Sequence, residues 1–121
     1  MDEKAFKERT KGLALKVIML VESLPRARTA DVIGKQLLRA TTSIGANYRA
    51  ACRAKSSADM INKLKVVEEE SDEVLYWLEL LGESRIVPLA QLSEFSKEAN
   101  EILAMTVASL KTLRAKAYRN S

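Results

Sequence analysis

Apolar residues recur at spacings of three and four along most of this chain. Between residues 4 and 24 they fall at Phe6, Leu13, Val17, Leu20 and Leu24, after a first gap of seven. That spacing marks a helix with one buried face. Leu15, Ile18, Met19 and Val21 fill much of the remaining circumference, and a helix apolar nearly all round is buried on more than one side. In so short a chain, the expected second cover is a neighbouring subunit. Pro25 stops this helix, because the residue before a proline is pushed out of the α region. Asp31, or Thr29 before it, is the candidate cap of a second helix running to about Lys55.

Along that second helix, at about 100° per residue, Ile33, Leu37, Ala40, Ile44, Tyr48 and Ala51 share one face. Arg28, Lys35, Arg39, Arg49 and Arg53 lie opposite, within roughly 80° of one another. Between the two faces runs a strip of Gly34, Leu38, Gly45 and Cys52. Glycine costs about 1 kcal/mol against alanine inside a helix, so two glycines on one strip predict close approach of another backbone. Ser56 with Asp59 resembles a capping box that starts a third helix. Its core line is Met60, Leu64, Val67, Ser71, Val74, Leu78 and Leu81, with Gly82 placed as a left-handed C-terminal residue. Trp77 and Leu80 lie off that line and again suggest a second buried surface. Pro88 suits the first turn of a fourth helix, which could also begin at Ser93. It carries Leu92, Ala99, Ile102, Leu103, Thr106, Leu110 and Leu113 onward. Four helices over about 4–24, 31–55, 57–81 and 88–118, with short connections, predict one all-α domain spanning 1–121. The expected form is an antiparallel up-down-up-down four-helix bundle. Leu15, Ile18, Gly34, Gly45, Trp77 and Leu80 are its candidate oligomer interface.

Charge changes this picture more than composition does. The chain has 121 residues and a net charge of +4. Residues 25–56 hold seven basic groups and one acidic group, whereas residues 57–82 hold two and seven. A strongly basic segment is followed by a strongly acidic one. A single cysteine fits a reducing compartment, the N-terminus shows no signal pattern, and the run Leu13–Val21 is too short to span a membrane. A cytoplasmic protein is expected.

Catalytic chemistry is not legible. Histidine is absent, which removes the commonest general base and metal ligand. The run Glu68–Glu73 sets Glu69/Glu73 and Glu68/Asp72 at i, i+4, which could bind Mg²⁺. Nothing converges on them, and an ion-paired or solvated face explains them better. Arg49 and Arg53 would favour a thiolate at Cys52, yet no base accompanies it. Asn47, at the edge of the apolar face, suits a structural amide that fixes register. No cofactor, metal or small-molecule substrate is indicated.

The string SIGANYRAACRAKSSADMINKL from Ser43, followed by LYWLELL at Leu75–Leu81, resembles the bacterial four-helix-bundle proteins of the 23S rRNA intervening-sequence family. That resemblance covers nearly the whole chain. It implies an antiparallel bundle assembled as a ring, a homopentamer, with no enzymatic activity. A related group, the accessory proteins of diversity-generating retroelements, forms similar pentameric barrels with basic surfaces and binds nucleic acid. Many family members carry a Glu shortly after the motif Asn, where this chain has Ala50, so the basic stripe is more purely cationic here.

The expected function is therefore non-enzymatic binding of a nucleic-acid backbone, RNA or DNA, with Arg28, Lys35, Arg39, Arg49 and Arg53 as phosphate contacts. The absence of aromatics among those cations argues against base stacking. The alternative is a protein-interaction scaffold with no nucleic-acid role. A third reading, an enzyme using a metal at the acidic run, rests on those carboxylates alone.

Overall fold

The computed structural model describes residues 2–119. Among them the chain forms four helices, α1 (Glu3–Glu22), α2 (Arg28–Cys52), α3 (Ser57–Glu83) and α4 (Leu89–Arg119), and no strand. Each buries one stripe: Phe6, Thr10, Leu13, Val17 and Leu20 in α1, and Leu64, Val67, Ser71, Val74, Leu78 and Leu81 in α3. These stripes follow the three-and-four spacing, so a seam that stays on one side of each helix meets its neighbours along its length. Complete burial of a side chain such as Leu37, Ile44 or Leu78 contributes roughly 1.5–3 kcal/mol.

Four hydroxyls lie inside this core: Thr10, Thr41, Ser71 and Thr106. Each donates to a carbonyl one turn earlier in its own helix, Thr10 to Lys7, Thr41 to Leu37, Ser71 to Val67 and Thr106 to Ile102. That bond removes the cost of burying an unsatisfied group. Thr10 also fills the gap of seven left between Phe6 and Leu13.

Helix ends depart from the sequence-based expectation in four places. α1 stops at Glu22 rather than Leu24, with the Ser23 hydroxyl donating to the Leu20 carbonyl at 2.7 Å. α2 begins at Arg28 behind Ala27, with no side-chain cap. Asp31 and Thr29 are thus already inside the helix, and Asp31 pairs with Lys35 instead. α2 ends at Cys52, because Ser56 caps α3 by accepting from the Asp59 N–H at 3.1 Å. Asp59 reaches back to the Lys55 N–H, so the capping pair claims residues 53–56 for the turn.

Gly82 is the fourth correction. It has no positive φ and lies within α3, while Arg85 takes the left-handed conformation with φ of 62°. Gly82 is needed for space. A Cβ there would stand 2.6 Å from the Leu89 Cδ2 and 3.2 Å from the Leu92 Cδ1, where the start of α4 crosses the end of α3. Gly34 has a similar explanation, since its Cβ would meet the Leu24 Cδ1 at 2.9 Å and the Val21 Cγ1 at 3.4 Å. Gly45 faces Thr10. The close approach expected from this strip is therefore made by α1 of the same chain, and needs no neighbouring subunit.

Gly12 differs from these, with nothing within 4 Å of a Cβ built on it. Gly12→Ala is expected to stabilise the protein by about 0.5–1 kcal/mol, measured by urea unfolding, because alanine is the better helix former. A loss of stability would mean that the position is packed against a second molecule.

Candidate functional site

The basic stripe lies on the exposed side of α2 because the opposite side is buried. Ile33, Leu37, Ala40, Ile44, Tyr48 and Ala51 belong to the core, with Tyr48 meeting the Phe6 ring edge-on at 4.5 Å between centroids. Arg28, Lys35, Arg39, Arg49 and Arg53 are all exposed. Their partners divide them.

Arg39 bridges to α3. Its guanidinium donates to Glu70 at 3.1 Å and to Glu73. Glu73 also accepts from the Trp77 indole N–H at 3.0 Å. Partial burial pushes the Glu73 carboxyl up, but the bonds from Arg39 and Trp77 outweigh it, and the net shift is below the ordinary 4.5. The same carboxylates hold the Arg39 guanidinium above its ordinary range. Lys35 pairs with Asp31 at 3.1 Å, one helical turn away. Arg28, Arg49 and Arg53 make no ion pair among the described residues. The stripe is thus neutralised at its centre and open at its two ends.

A second bridge was not legible in the sequence. Arg9 of α1 donates to Glu98 and, at 3.0 Å, to Glu101 of α4, with the Met105 sulfur 3.2 Å from its Nη1. Nothing in the spacing of the two helices marks this pair, because partners 89 residues apart share no local periodicity. It ties together α1 and α4, the neighbouring pair of helices that touches least.

The other candidates resolve into local structure. The Asn47 amide donates to the Ser43 carbonyl and hydroxyl, both at 2.9 Å, so its bonds stay within α2 rather than fixing register between helices. Cys52 is half-buried, and burial together with a bond to Glu3 pushes its thiol above the ordinary value. The thiolate expected from Arg49 and Arg53 is therefore disfavoured. Glu73 is engaged by Arg39 and Trp77, and no group of three or more His, Cys, Asp or Glu among the described residues could hold a metal. No helix among them is long and apolar enough to cross a membrane.

Of the candidate interface residues, Leu15 is 55% exposed and Ile18 39%, beside Met19 at 73%. Trp77 and Leu80 are half-buried against the core of their own chain, and Gly34 is buried by α1. Leu15, Ile18 and Met19 form one exposed apolar cluster on α1, while Val32, Tyr76, Leu89, Val107 and Tyr118 are exposed on the other helices.

An all-helical protein with an exposed, charged face on α2 is what this geometry defines. Residues 3–108 match the family model of the 23S rRNA-intervening sequence protein, and the chain belongs to that family. It is similar to a crystal structure, at 1.70 Å resolution, of a protein of unknown function from the S23 ribosomal protein family of Bacteroides thetaiotaomicron. The two chains share 34% identity over 92% of this chain and 99% of the other, with a TM-score of 0.85. No curated protein matches the chain.

Glu73 has a folded pKa below its unfolded one, so its contribution is fully present above pH 4.5 and is lost as pH falls below it. Glu73→Gln should cost a few tenths to about 1 kcal/mol at neutral pH, with the difference from the parent closing in acid. A difference independent of pH would contradict the ion pair. Cys52 should alkylate with iodoacetamide more slowly than free cysteine at neutral pH, and faster reaction would contradict the burial of its sulfur.

Proposed function

We propose that the chain is a non-enzymatic, cytoplasmic four-helix bundle that assembles with copies of itself and binds the backbone of RNA or DNA through the basic side of α2. The observation that carries this reading is that Arg28, Arg49 and Arg53 have no counter-ion among the described residues. Exposed arginines without partners are the groups that release counter-ions on meeting phosphate. Arg39 and Lys35 act mainly within the fold, so the contact set narrows from five residues to three.

Several contacts support the up-down-up-down order. Phe6 near the start of α1 meets Tyr48 near the end of α2, and Gly34 near the start of α2 faces Leu24 just past the end of α1. Gly82 near the end of α3 faces Leu89 at the start of α4. Self-assembly is supported by Leu15, Ile18 and Met19, which form an apolar patch that one chain leaves uncovered. A ring of five is the form proposed, since it would repeat the open arginines around one assembly. No membrane and no small-molecule substrate enters this function.

The second reading, a protein scaffold, is favoured by the bridge from Arg39 to Glu70 and Glu73. It shows that basic and acidic surfaces of this chain already complement each other.

Arg39 is a poor choice for testing the function, since a carboxylate there would face Glu70 and Glu73 and disturb the packing of α2 on α3. Arg49→Glu with Arg53→Glu avoids this. The double variant should lose RNA and DNA binding in a gel-shift assay while its mass by light scattering stays that of the parent. Unchanged binding would assign the arginines to a protein partner. The same light-scattering run should show several subunits, and a monomer would refute the role given to Leu15 and Ile18.

A further inference from the structure

Positive charge in this molecule is gathered at one end. A cavity of about 580 Å³ is bounded by Glu3 of α1, Tyr48 and Cys52 of α2, Met60 and Leu64 of α3, and Met105 of α4. The start of α1, the end of α2, the start of α3 and the end of α4 therefore meet there. Arg39 reaches Glu70 across the bundle, so residue 40 of α2 stands level with about residue 70 of α3. The half of the chain around the cavity, residues 2–14, 40–70 and 102–119, holds thirteen basic residues and seven acidic ones. The other half holds seven and nine. Of the thirteen cations, Arg9 alone is ion-paired among the described residues.

The end of α4 is the most one-sided part. No acid follows Glu101, and Lys111, Arg114, Lys116 and Arg119 are all exposed. α4 continues six residues beyond Leu113, which still lines the cavity, and so extends roughly 9 Å past it at 1.5 Å per residue. A helix C-terminus attracts cations through its dipole, which would account for the end of α4 taken alone. It cannot account for Lys4 in the first turn of α1, where the dipole favours acids, or for Lys7, Lys63 and Lys65, which lie beyond the single turn over which a helix end acts. Like charges gathered at one end cost stability by mutual repulsion and are relieved by a polyanion.

We propose that this end of the bundle is the centre of the nucleic-acid surface, with the tip of α4 lying along the phosphate backbone beside Arg49 and Arg53. This rests on the nucleic-acid reading above and moves its centre from the middle of α2 to the end of the molecule. The tip lies beyond the family match, which stops at residue 108, while Arg49 and Arg53 lie within it. A nucleic acid fits better than an anionic membrane, because a helix seated in a lipid surface needs an apolar face to insert. Among the described residues Val107 and Tyr118 are the large exposed apolar side chains at this end, too few for such a face, while Leu15, Ile18, Met19, Val32, Tyr76 and Leu89 lie in the opposite half.

The test compares three proteins by fluorescence anisotropy on a mixed-sequence RNA oligonucleotide at low salt: the parent, K111E/R114E/K116E and R85E/K97E, the last altered at two exposed cations of the opposite half. The tip variant should bind roughly tenfold or more weakly, as expected for losing several phosphate contacts, and R85E/K97E should bind nearly as the parent does. Full binding by the tip variant would leave the nucleic-acid function on the α2 stripe and overturn this inference, as would an equal loss in R85E/K97E. No binding by the parent would remove both. If the tip variant loses helix content, K55E/K65E reaches the same end without touching α4, and unchanged affinity there would overturn the proposal. So would parent binding to phosphatidylserine vesicles that RNA does not compete away.

Discussion

Burial of one edge of α2 between α1 and α3 governs where the charges of this protein stand. Leu37, Ala40 and Ile44 are wholly enclosed, and a helix with that edge fixed has no freedom to turn its opposite side inward. Arg28, Lys35, Arg39, Arg49 and Arg53 are exposed as a consequence of the core. Two glycines serve the same constraint, since Gly34 lets α1 lie close along α2 and Gly82 lets α4 cross α3. Packing thus sets the electrostatics, and the electrostatics carry the proposed function.

The basic and acidic segments are consecutive in sequence and adjacent in space, so part of the charge is spent within the fold. Arg39 takes Glu70 and Glu73, and Arg9 takes Glu98 and Glu101. Exposed pairs of this kind contribute about 0–1 kcal/mol, so their larger effect is to decide which cations stay open. What remains open is unevenly placed, with most of it around the end where α2 finishes and α4 projects.

Much of the fold was legible because a three-and-four apolar rhythm has few other meanings. All six residues assigned to the buried face of α2 are buried, and Ser71 and Thr106 stand inside the core. Thr10 is not legible as a core residue because its hydroxyl reads as polar until its bond to the Lys7 carbonyl is known. Gly82 reads as a turn residue because glycine after a helical run usually ends one, whereas here the crossing of α4 demands the missing side chain. The stripe of cations was also legible, but its neutralisation at Arg39 was not, since an i, i+4 rule cannot report a bridge between helices. The concentration of cations at one end needs four helix termini brought together, and that is a property of the fold.

The central claim is that open cations at one end of this bundle bind a phosphate backbone. It is tested most directly by the salt dependence of RNA binding to the unaltered protein. The account predicts that the logarithm of the affinity falls linearly with the logarithm of salt concentration, with a slope of about −0.7 to −0.9 per phosphate contact and several contacts in all. Affinity that is flat in salt, or absent even at the lowest salt, would contradict it.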